Sequence, residues 1–449
     1  MSPRGTGDAR PRVVAIADTD SYVKWAAALL GAVGERWDAS LLVLDTPLVV
    51  SDAQLASALT GSGLARDRVS RVEYGSLAGR LAGLRADVVV IGARGPLVRV
   101  LARDIAAGER RPVVVTGLPG ISIPATRKAV VYRLQCDLFV VHSHRERREF
   151  GALSARTGYA HRYALATLPF AREAISAGRR MPANAGRTDL VFAAQAKVPA
   201  ERADRLRVAR MLLRTARADP SRRVVVKLRA APGEHQTHAE HDGYPELLAS
   251  LGPLPENLVT STAPMATALA TAEGLVTVSS TAAIEAMARG IPVIALDTFG
   301  VSPHLINETL ADADLLGSEE DVVARRFRHP EAEWLDDNYF HPREHDDWTA
   351  QVEALLADRA AGRLPRRPPA LRRGGALRDA WERKVALGRS DTSASGLVAY
   401  AVGIPLRGLL RLGNRLRQLF GGVQQPGPVG SCVQVRSTRA VRTSTTRTW

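Results

Sequence analysis

The sequence predicts an α/β protein with two Rossmann-like domains facing a cleft, followed by a basic C-terminal tail. Short runs of Val, Ile and Leu alternate with longer helical patterns through residues 1–358, an alternation typical of βαβ units and parallel sheets. These runs form two series, separated at 171–188 by a stretch rich in Ala, Gly and Arg that is typical of a linker. We therefore predict domains at 1–175 and 189–358 and a basic, largely disordered tail at 359–449 that packs poorly against the body.

Each series contains five clear strand patterns bounded by charged residues or Gly. In the first series they lie at 13–17, 41–44, 88–91, 113–116 and 138–141, with an amphipathic helix at 21–34. In the second they lie at 190–193, 224–227, 258–260, 275–278 and 292–296, with helices that include 201–217 and 281–289. A last helix at 348–359 is expected to pack near the junction of the domains. Such an arrangement binds ligands where the carboxyl ends of the strands meet.

The net charge of +15 is confined to the tail. Residues 359–449 contain 18 Lys or Arg and three acidic residues, so the body is neutral and a nucleic-acid partner is not predicted. Within the tail, 397–420 places Arg among Leu in a basic amphipathic pattern. It could lie on an anionic membrane surface, or it could be an exposed tail without a partner. From residue 423 onwards the composition predicts disorder.

Cysteine content and hydropathy predict a cytoplasmic protein, and the basic tail leaves open a peripheral position on the inner face of the membrane. Cys136 and Cys432 are the only cysteines, which argues against a disulfide framework or a cysteine-based zinc site. Cys136 is expected to be a small buried hydrophobic residue. The N-terminus lacks the apolar core of a signal peptide, and no uncharged apolar run is long enough to span a membrane.

The strongest chemical motif is GLVTVSSTAAIEAMARGIPVIAL at 274–296. A strand leads into a helix through Ser279, Ser280 and Thr281, and Ser279 or Ser280 is expected to cap that helix. Free backbone N–H groups and three hydroxyls would then form a site for a phosphate or diphosphate. Glu285 lies one turn after Thr281 and could reach ribose hydroxyls. The alternative is an ordinary helix cap followed by a solvent-facing glutamate.

This motif closely resembles the donor-nucleotide element of GT-B glycosyltransferases. The double serine is similar to that of bacterial sialyltransferases, polysialyltransferases and capsule or teichoic-acid polymerases. The resemblance implies that Ser279 and Ser280 contact donor phosphate, with Glu285 as a further donor contact. Residues 1–358 also resemble a family of bacterial glycosyltransferase-like proteins, through DTDSYVKW (18–25), TGLPGISIPATRKA (116–129), DLFVVHSHRE (137–146) and KLRAAPGEHQTH (227–238).

One segment departs from the sialyltransferase-like pattern. Those enzymes carry Lys-x-His-Pro after a strand, whereas this chain has Lys227 and Arg229, so a cytidine-monophosphate donor is not implied. Lys227 and Arg229 remain candidates for neutralising phosphate. His235 and His238 have a spacing seen in metal sites, but no third ligand is evident. They are expected to be loop histidines or donor contacts, and no metal or other cofactor is predicted.

The first domain offers candidates for a catalytic base. Asp18 and Asp20 follow the first strand, where an inverting transferase places the group that deprotonates the acceptor; Asp20 or Ser21 could instead cap the next helix. His144, after the strand at 138–141, is a third candidate. The 117–120 segment, GLPG, allows close approach of a ligand or forms a plain turn.

Together these features predict a glycosyltransferase that moves a sugar or sugar-like group from a nucleotide-activated donor to an envelope or metabolite acceptor, without a metal. Two alternatives remain open. A nucleotide-sugar 2-epimerase uses the same fold, and a non-catalytic nucleotide-binding protein could act as an envelope scaffold. The donor base, the sugar and the acceptor are not determined by the sequence.

Overall fold

The computed structural model describes residues 10–107, 111–171, 186–196, 198–228, 242–368 and 374–403. Those up to Tyr400 belong to one compact unit, and 401–403 belong to a second. Several predictions therefore lie outside the described residues. They are Arg229, His235 and His238, most of the proposed linker (172–185), and 404–449, which includes most of the amphipathic segment.

The first domain is built on a seven-stranded parallel sheet of order β3-β2-β1-β4-β5-β6-β7. The order reverses between β1 and β4, and we call their carboxyl ends the first switch point. The short strands β3 and β7 were not predicted, because neither has a long apolar run. The strands are β1 Arg12–Ala17, β2 Asp38–Leu44, β3 Val69–Val72, β4 Val88–Gly92, β5 Val113–Gly117, β6 Leu138–Val141 and β7 Tyr163–Leu165.

The second domain repeats this plan with six parallel strands of order β10-β9-β8-β11-β12-β13. Its order reverses between β8 and β11, whose carboxyl ends form the second switch point. Two Rossmann-like domains of the GT-B type are thus confirmed. The strands are β8 Asp189–Ala193, β9 Val224–Lys227, β10 Leu258–Ser261, β11 Ala272–Thr277, β12 Val293–Leu296 and β13 Leu316–Gly317.

Helices cover both faces of each sheet, so the strands are buried on both sides. Along β1, Val13 and Ala15 belong to one apolar cluster, and Val14 and Ile16 to the opposite one. The first-domain helices are α1 Asp20–Val33, α2 Asp52–Leu59, α3 Tyr74–Leu84, α4 Gly95–Ala106, α5 Arg127–Tyr132 and α6 His144–Thr157. The later helices are α7 Arg202–Ala218, α8 Tyr244–Ala249, α9 Met265–Ala270, α10 Ala282–Ala288, α11 Glu308–Ala311, α12 Glu319–Val323, α13 Ala332–Asp337, α14 Trp348–Ala360 and α15 Gly375–Leu387.

Helix α14 returns the chain to the first domain. Its Trp348, Val352 and Leu355 are buried in the first-domain core, and the rings of Trp348 and Trp37 meet edge to face at 5.5 Å. Residues 338–347, which we call the crossing segment, therefore pass from one domain to the other. The predicted final helix is present, but it completes the core of the first domain although the sequence assigns it to the second.

Helix α15 departs from the expectation of a loosely packed tail. Ala386 and Leu387 are buried against α4 in the first-domain core, and Glu382 Oε2 lies 3.2 Å from Arg99 Nη1. This region is rich in basic residues, so its composition alone does not reveal that α15 has a short apolar face. Among the described residues, no helix combines the length and apolarity needed to cross a bilayer.

Shortening the chain tests whether α15 stabilises the body. A chain ending at residue 368 should have a free energy of unfolding about 2–4 kcal/mol lower than one ending at 403, because it leaves the apolar surface beneath Ala386 and Leu387 exposed to water. Urea unfolding of both chains and of the full-length protein measures the difference. Equal stability of the two shortened chains would show that the packing of α15 contributes nothing.

Candidate functional site at the two switch points

An amide joins the two strand ends at the second switch point. Gln195 follows β8 and Ser279 follows β11. The Gln195 Oε1 atom accepts hydrogen bonds from Ser279 N at 2.9 Å and Thr277 Oγ1 at 3.3 Å, while its Nε2 donates to Ser279 Oγ at 3.1 Å. Sequence reasoning missed Gln195, although its place just beyond a predicted strand was the available signal.

Ser280 and Thr281 begin helix α10. The Ser280 hydroxyl accepts a hydrogen bond from Ala282 N at 3.2 Å, and Ser280 N donates to Thr277 Oγ1 at 3.0 Å. Thr281 is the residue that precedes the helix, and its side chain makes no capping bond. Ser280 therefore caps the helix. Ser279 is buried, and its hydroxyl accepts a hydrogen bond from Gln195 Nε2.

The two domains touch beside this motif. A Cβ atom placed on Gly120 would lie 2.7 Å from Thr281 Oγ1, so the predicted 117–120 loop lies directly against the donor motif. Lys24 Nζ of α1 lies 3.1 Å from Glu285 Oε1 of α10. Both loop and motif follow strand carboxyl ends, β5 and β11, so these edges of the two sheets face each other.

An ion pair occupies the first switch point. Asp18 follows β1, Arg94 follows β4, and Arg94 Nε donates to Asp18 Oδ2 at 2.8 Å. Asp18 is fully buried. Burial raises the pKa of its carboxyl group, and the Arg94 guanidinium opposes that rise. Arg94, like Gln195, was missed by sequence reasoning.

Asp20, the second acidic candidate, is the first residue of α1. Thr19 precedes the helix and makes no side-chain capping bond, so the alternative that Asp20 or Ser21 is the cap is wrong. Ser21 Oγ lies 3.4 Å from Asp20 Oδ1. Asp18 thus takes part in the ion pair at the first switch point, whereas Asp20 lies two residues further along the chain, at the start of α1.

His144, the third candidate, begins α6 and contacts the crossing segment. Its Nε2 lies 3.0 Å from His345 Nδ1, and its ring centroid lies 5.3 Å from that of His341. Burial, followed by the neighbouring imidazoles, lowers the pKa of His144. His341 is itself bound to Asp346 Oδ1 at 2.9 Å.

A buried carboxylate holds the 117–120 loop and the crossing segment in place. Glu146 accepts hydrogen bonds from His142 N at 2.8 Å, Ser122 N at 3.1 Å and the Tyr339 hydroxyl at 2.9 Å. These donors come from the end of β6, from the residues after the loop and from the crossing segment. Glu146 therefore positions the elements around the switch points and does not face a ligand.

Lys227, at the end of β9, is buried, and its ammonium group donates to the carbonyl of Leu228. Its role as a phosphate neutraliser stays a prediction. Within the described ranges, no group of three His, Cys, Asp or Glu side chains could hold a metal ion. Cys136 is buried as expected, and burial raises its pKa to about 12.

The fold, with two Rossmann-like domains whose strand carboxyl ends face each other, defines a protein of the GT-B type. Residues 13–355 match the family described as "Putative glycosyltransferase (DUF6716)", and the chain belongs to this family. No curated protein is significantly similar to the chain in sequence.

Two solved structures are similar in fold. One is a putative UDP-N-acetylglucosamine 2-epimerase from Listeria monocytogenes, with a TM-score of 0.51, 12% identity, and coverage of 81% of this chain and 99% of the other. The second, the MnaA–UDP structure from S. aureus, has a TM-score of 0.50 and 11% identity, with coverage of 80% and 99%. At this identity the similarity establishes the fold alone.

Proposed function

We propose that the protein is a glycosyltransferase that moves a sugar or sugar-like group from a nucleotide-activated donor to an envelope or metabolite acceptor. The observation that carries this proposal is the approach of the two sheets at Gly120 and Thr281, beside a polar second switch point. Membership of the glycosyltransferase family supports it. Ligands of open α/β sheets bind at such points.

The donor binds on the second domain in this proposal. Its phosphates contact the hydroxyls of Ser280 and Thr281, and Gln195 keeps Ser279 in register with them. Glu285 contacts the ribose, which requires Lys24 to leave its ion pair. Lys24 can make that exchange because its side chain is 44% exposed and returns to water, while Glu285, whose side chain is 16% exposed, gains ribose hydroxyls in place of the ammonium group. Lys227, and Arg229 outside the described residues, remain further candidates for phosphate contacts.

Catalysis then combines electrostatic stabilisation with a base from the first domain. The hydroxyls of Ser280 and Thr281 stabilise the negative charge of the departing nucleotide. The expected free backbone N–H groups do not add to them, because those of Ser279, Ser280 and Ala282 are already hydrogen-bonded within the motif. Asp18 is the proposed base, with Asp20 and His144 as the other candidates. The lowered pKa of His144 favours its neutral form, in which an imidazole can accept a proton. No metal or other cofactor takes part in the proposed reaction.

A nucleotide-sugar 2-epimerase is the second candidate, favoured by the two similar structures, one described as a UDP-N-acetylglucosamine 2-epimerase and the other a complex with UDP. An epimerase converts UDP-N-acetylglucosamine to its 2-epimer without an acceptor, whereas a transferase requires one. A protein that binds nucleotides but catalyses neither reaction would be the proposed scaffold. Product analysis with and without acceptor separates the three.

The tail is proposed to bring the protein to an anionic membrane surface. Leu397, Val398 and Val402 lie on the described part of the tail and are more than half exposed, as an interfacial helix requires. The chain ending at 403 lacks the Arg-rich residues beyond it, so it should no longer cosediment with anionic vesicles at low salt. Equal cosedimentation of full-length and shortened chains would contradict this role.

Nucleotide binding tests the donor site. A panel of nucleoside mono- and diphosphates and their sugars should raise the melting temperature of the protein. Ser280→Ala should weaken binding of the best ligand by about 1–3 kcal/mol, the scale for losing a hydrogen bond to a charged group. Glu285→Ala should weaken binding of nucleotides more than binding of free phosphate or diphosphate.

The control is Ser51→Ala, which removes a hydroxyl from the exposed capping box of α2 and should leave nucleotide affinity unchanged. If Ser280→Ala and Glu285→Ala both bind nucleotides as the parent does, the donor does not bind at α10. If no nucleotide binds to the parent protein, the proposed function is wrong.

A further inference from the structure

A cavity at the amino-terminal edge of the first sheet is lined by arginine side chains. It has a volume of about 750 Å³ and lies between the ends of α4 and α14 and residues 362–368, away from the switch points. Among its lining residues that the structure describes, five are arginines and none is acidic. The five are Arg103, Arg111, Arg359, Arg366 and Arg367. A wall of this kind attracts anions.

The charge of this wall is only partly neutralised by neighbouring carboxylates. Arg111 and Arg367 share the carboxylate of Asp137, at 2.6 and 3.4 Å. Arg366 is exposed, and it forms no hydrogen bond or ion pair with any other described residue. Arginine presents its N–H groups in a planar fork that fits phosphate. The cavity therefore combines guanidinium groups that are held in place with one that is open to a ligand.

A groove with an aliphatic lining adjoins the arginine cavity. Arg359 lines both spaces, and the groove, of about 770 Å³, lies between α3 and α4. Two carboxylates in its lining are already bonded, Asp87 to Arg359 and Asp104 to the Tyr74 hydroxyl. The aliphatic lining includes Leu77, Leu81, Leu101 and Ile105. An apolar surface thus lies directly beside a cationic one.

We propose that the cavity and the groove together bind an anionic amphiphile, a lipid with a phosphate headgroup. The phosphate contacts Arg366, Arg359 and Arg103, and the hydrocarbon chain lies along the aliphatic side chains of α3 and α4. This site is independent of the proposed donor site, because it lies at the opposite edge of the first sheet. It also extends beyond residues 13–355, which the family model matches, since 356–368 contribute to its wall.

Other ligands use only part of this site. Free phosphate would contact the arginines and leave the groove exposed to water, and a neutral amphiphile would fill the groove without meeting the guanidinium groups. A lipid phosphate gains from both, because its headgroup forms charge-assisted hydrogen bonds and its chain removes apolar surface from water. The arrangement therefore favours a ligand that carries both parts.

The experiment titrates the full-length protein with dodecyl phosphate, below its critical micelle concentration, and with inorganic phosphate. The parent should bind dodecyl phosphate at least tenfold more tightly than inorganic phosphate, because only the former fills the groove. Arg366→Gln should weaken binding of dodecyl phosphate by about tenfold, the scale for losing a hydrogen bond to a charged group. Ala82→Glu should weaken it similarly, since Ala82 is an exposed position of α3 that lines the groove. Calorimetry measures the affinities.

Each variant has a matched control that changes the net charge equally. Arg363→Gln removes a charge from the same segment as Arg366, but Arg363 is exposed and does not line the cavity. Gly83→Glu adds a carboxylate to α3 at an exposed position that does not line the groove and has space for a side chain. Both controls should bind dodecyl phosphate as the parent does. Hydrogen exchange gives a second measurement, because the bound lipid should slow amide exchange in α3 and in 356–368.

Three results would overturn the inference. They are parent-like binding of dodecyl phosphate by Arg366→Gln or Ala82→Glu, equal weakening in a variant and its control, and equal affinities of the parent for inorganic and dodecyl phosphate. Equal weakening would indicate attraction to the overall basic charge of the chain, and equal affinities would show that the groove contributes nothing. Nucleotide affinity should stay at the parent value in all four variants, so this site and the proposed donor site are tested separately.

Discussion

Asp137→Ala is expected to lower the free energy of unfolding by about 3–5 kcal/mol, the usual effect of breaking a buried ion pair from one side. The carboxylate accepts two hydrogen bonds from Arg111 and a third from Val114 N at 2.9 Å. Both side chains are almost entirely buried, so the Arg111 charge would remain without its partner in the protein interior. Urea unfolding measures the loss.

An exposed pair of the same length provides the control. Arg68 Nη1 lies 2.6 Å from Asp38 Oδ1, the distance found between Arg111 Nη1 and Asp137 Oδ2, but both side chains are about half exposed. Asp38→Ala should therefore cost at most about 1 kcal/mol. Asp137 precedes β6 and so lies at the amino-terminal edge of the first sheet, away from the switch points. The Asp137→Ala variant should therefore bind nucleotides as tightly as the parent protein, provided that it folds. Similar losses in both variants would contradict the burial argument.

Gln195→Ala is expected to weaken nucleotide binding at least tenfold and to lower the free energy of unfolding by about 2–3 kcal/mol. The stability loss follows from three hydrogen bonds to Ser279 and Thr277, at about 1 kcal/mol each. The affinity loss follows because the end of β11 is no longer tied to β8, so Ser279 and Ser280 lose their common orientation. Calorimetric titration and urea unfolding measure the two quantities.

Asn257→Ala separates these effects. The Asn257 amide donates to three backbone carbonyls, those of Ala216, Asp219 and Arg222, but it precedes β10 and so lies at the amino-terminal edge of the sheet. Its loss should reduce stability to a similar extent while leaving nucleotide affinity unchanged. If Asn257→Ala weakens nucleotide binding as much as Gln195→Ala does, the effect is general destabilisation and not a property of the second switch point.

The long buried strands were predictable because their chemistry is local. A continuous run such as 88–91 has no polar residue to place in water, so it can only be a strand or helix buried on both faces, and its length favours a strand. β3 escaped prediction because Ser70 and Arg71 interrupt its apolar residues. Helix α2 begins with a capping box formed by Ser51 and Gln54, a local signal that was present in the sequence.

The donor motif was visible in the sequence because its parts are neighbours along the chain. The strand end, the hydroxyls and Glu285 lie within a few residues of one another. The ion pair between Lys24 and Glu285 was not predictable, since 261 residues separate its members. The tail shows the same limit, because α15 carries a basic composition and its buried face is defined only by contact with α4.

The sequence by itself determined the two Rossmann-like domains, the approximate bounds of their central strands and the position of the double-serine motif. These depend on hydrophobic periodicity and on short-range hydrogen bonds. Only the tertiary structure decided that Gln195 joins Ser279, that Arg94 joins Asp18, and that Gly120 meets Thr281. Each of these contacts requires strands that are adjacent in space but distant in the chain, or two domains packed together, and no local pattern encodes that proximity.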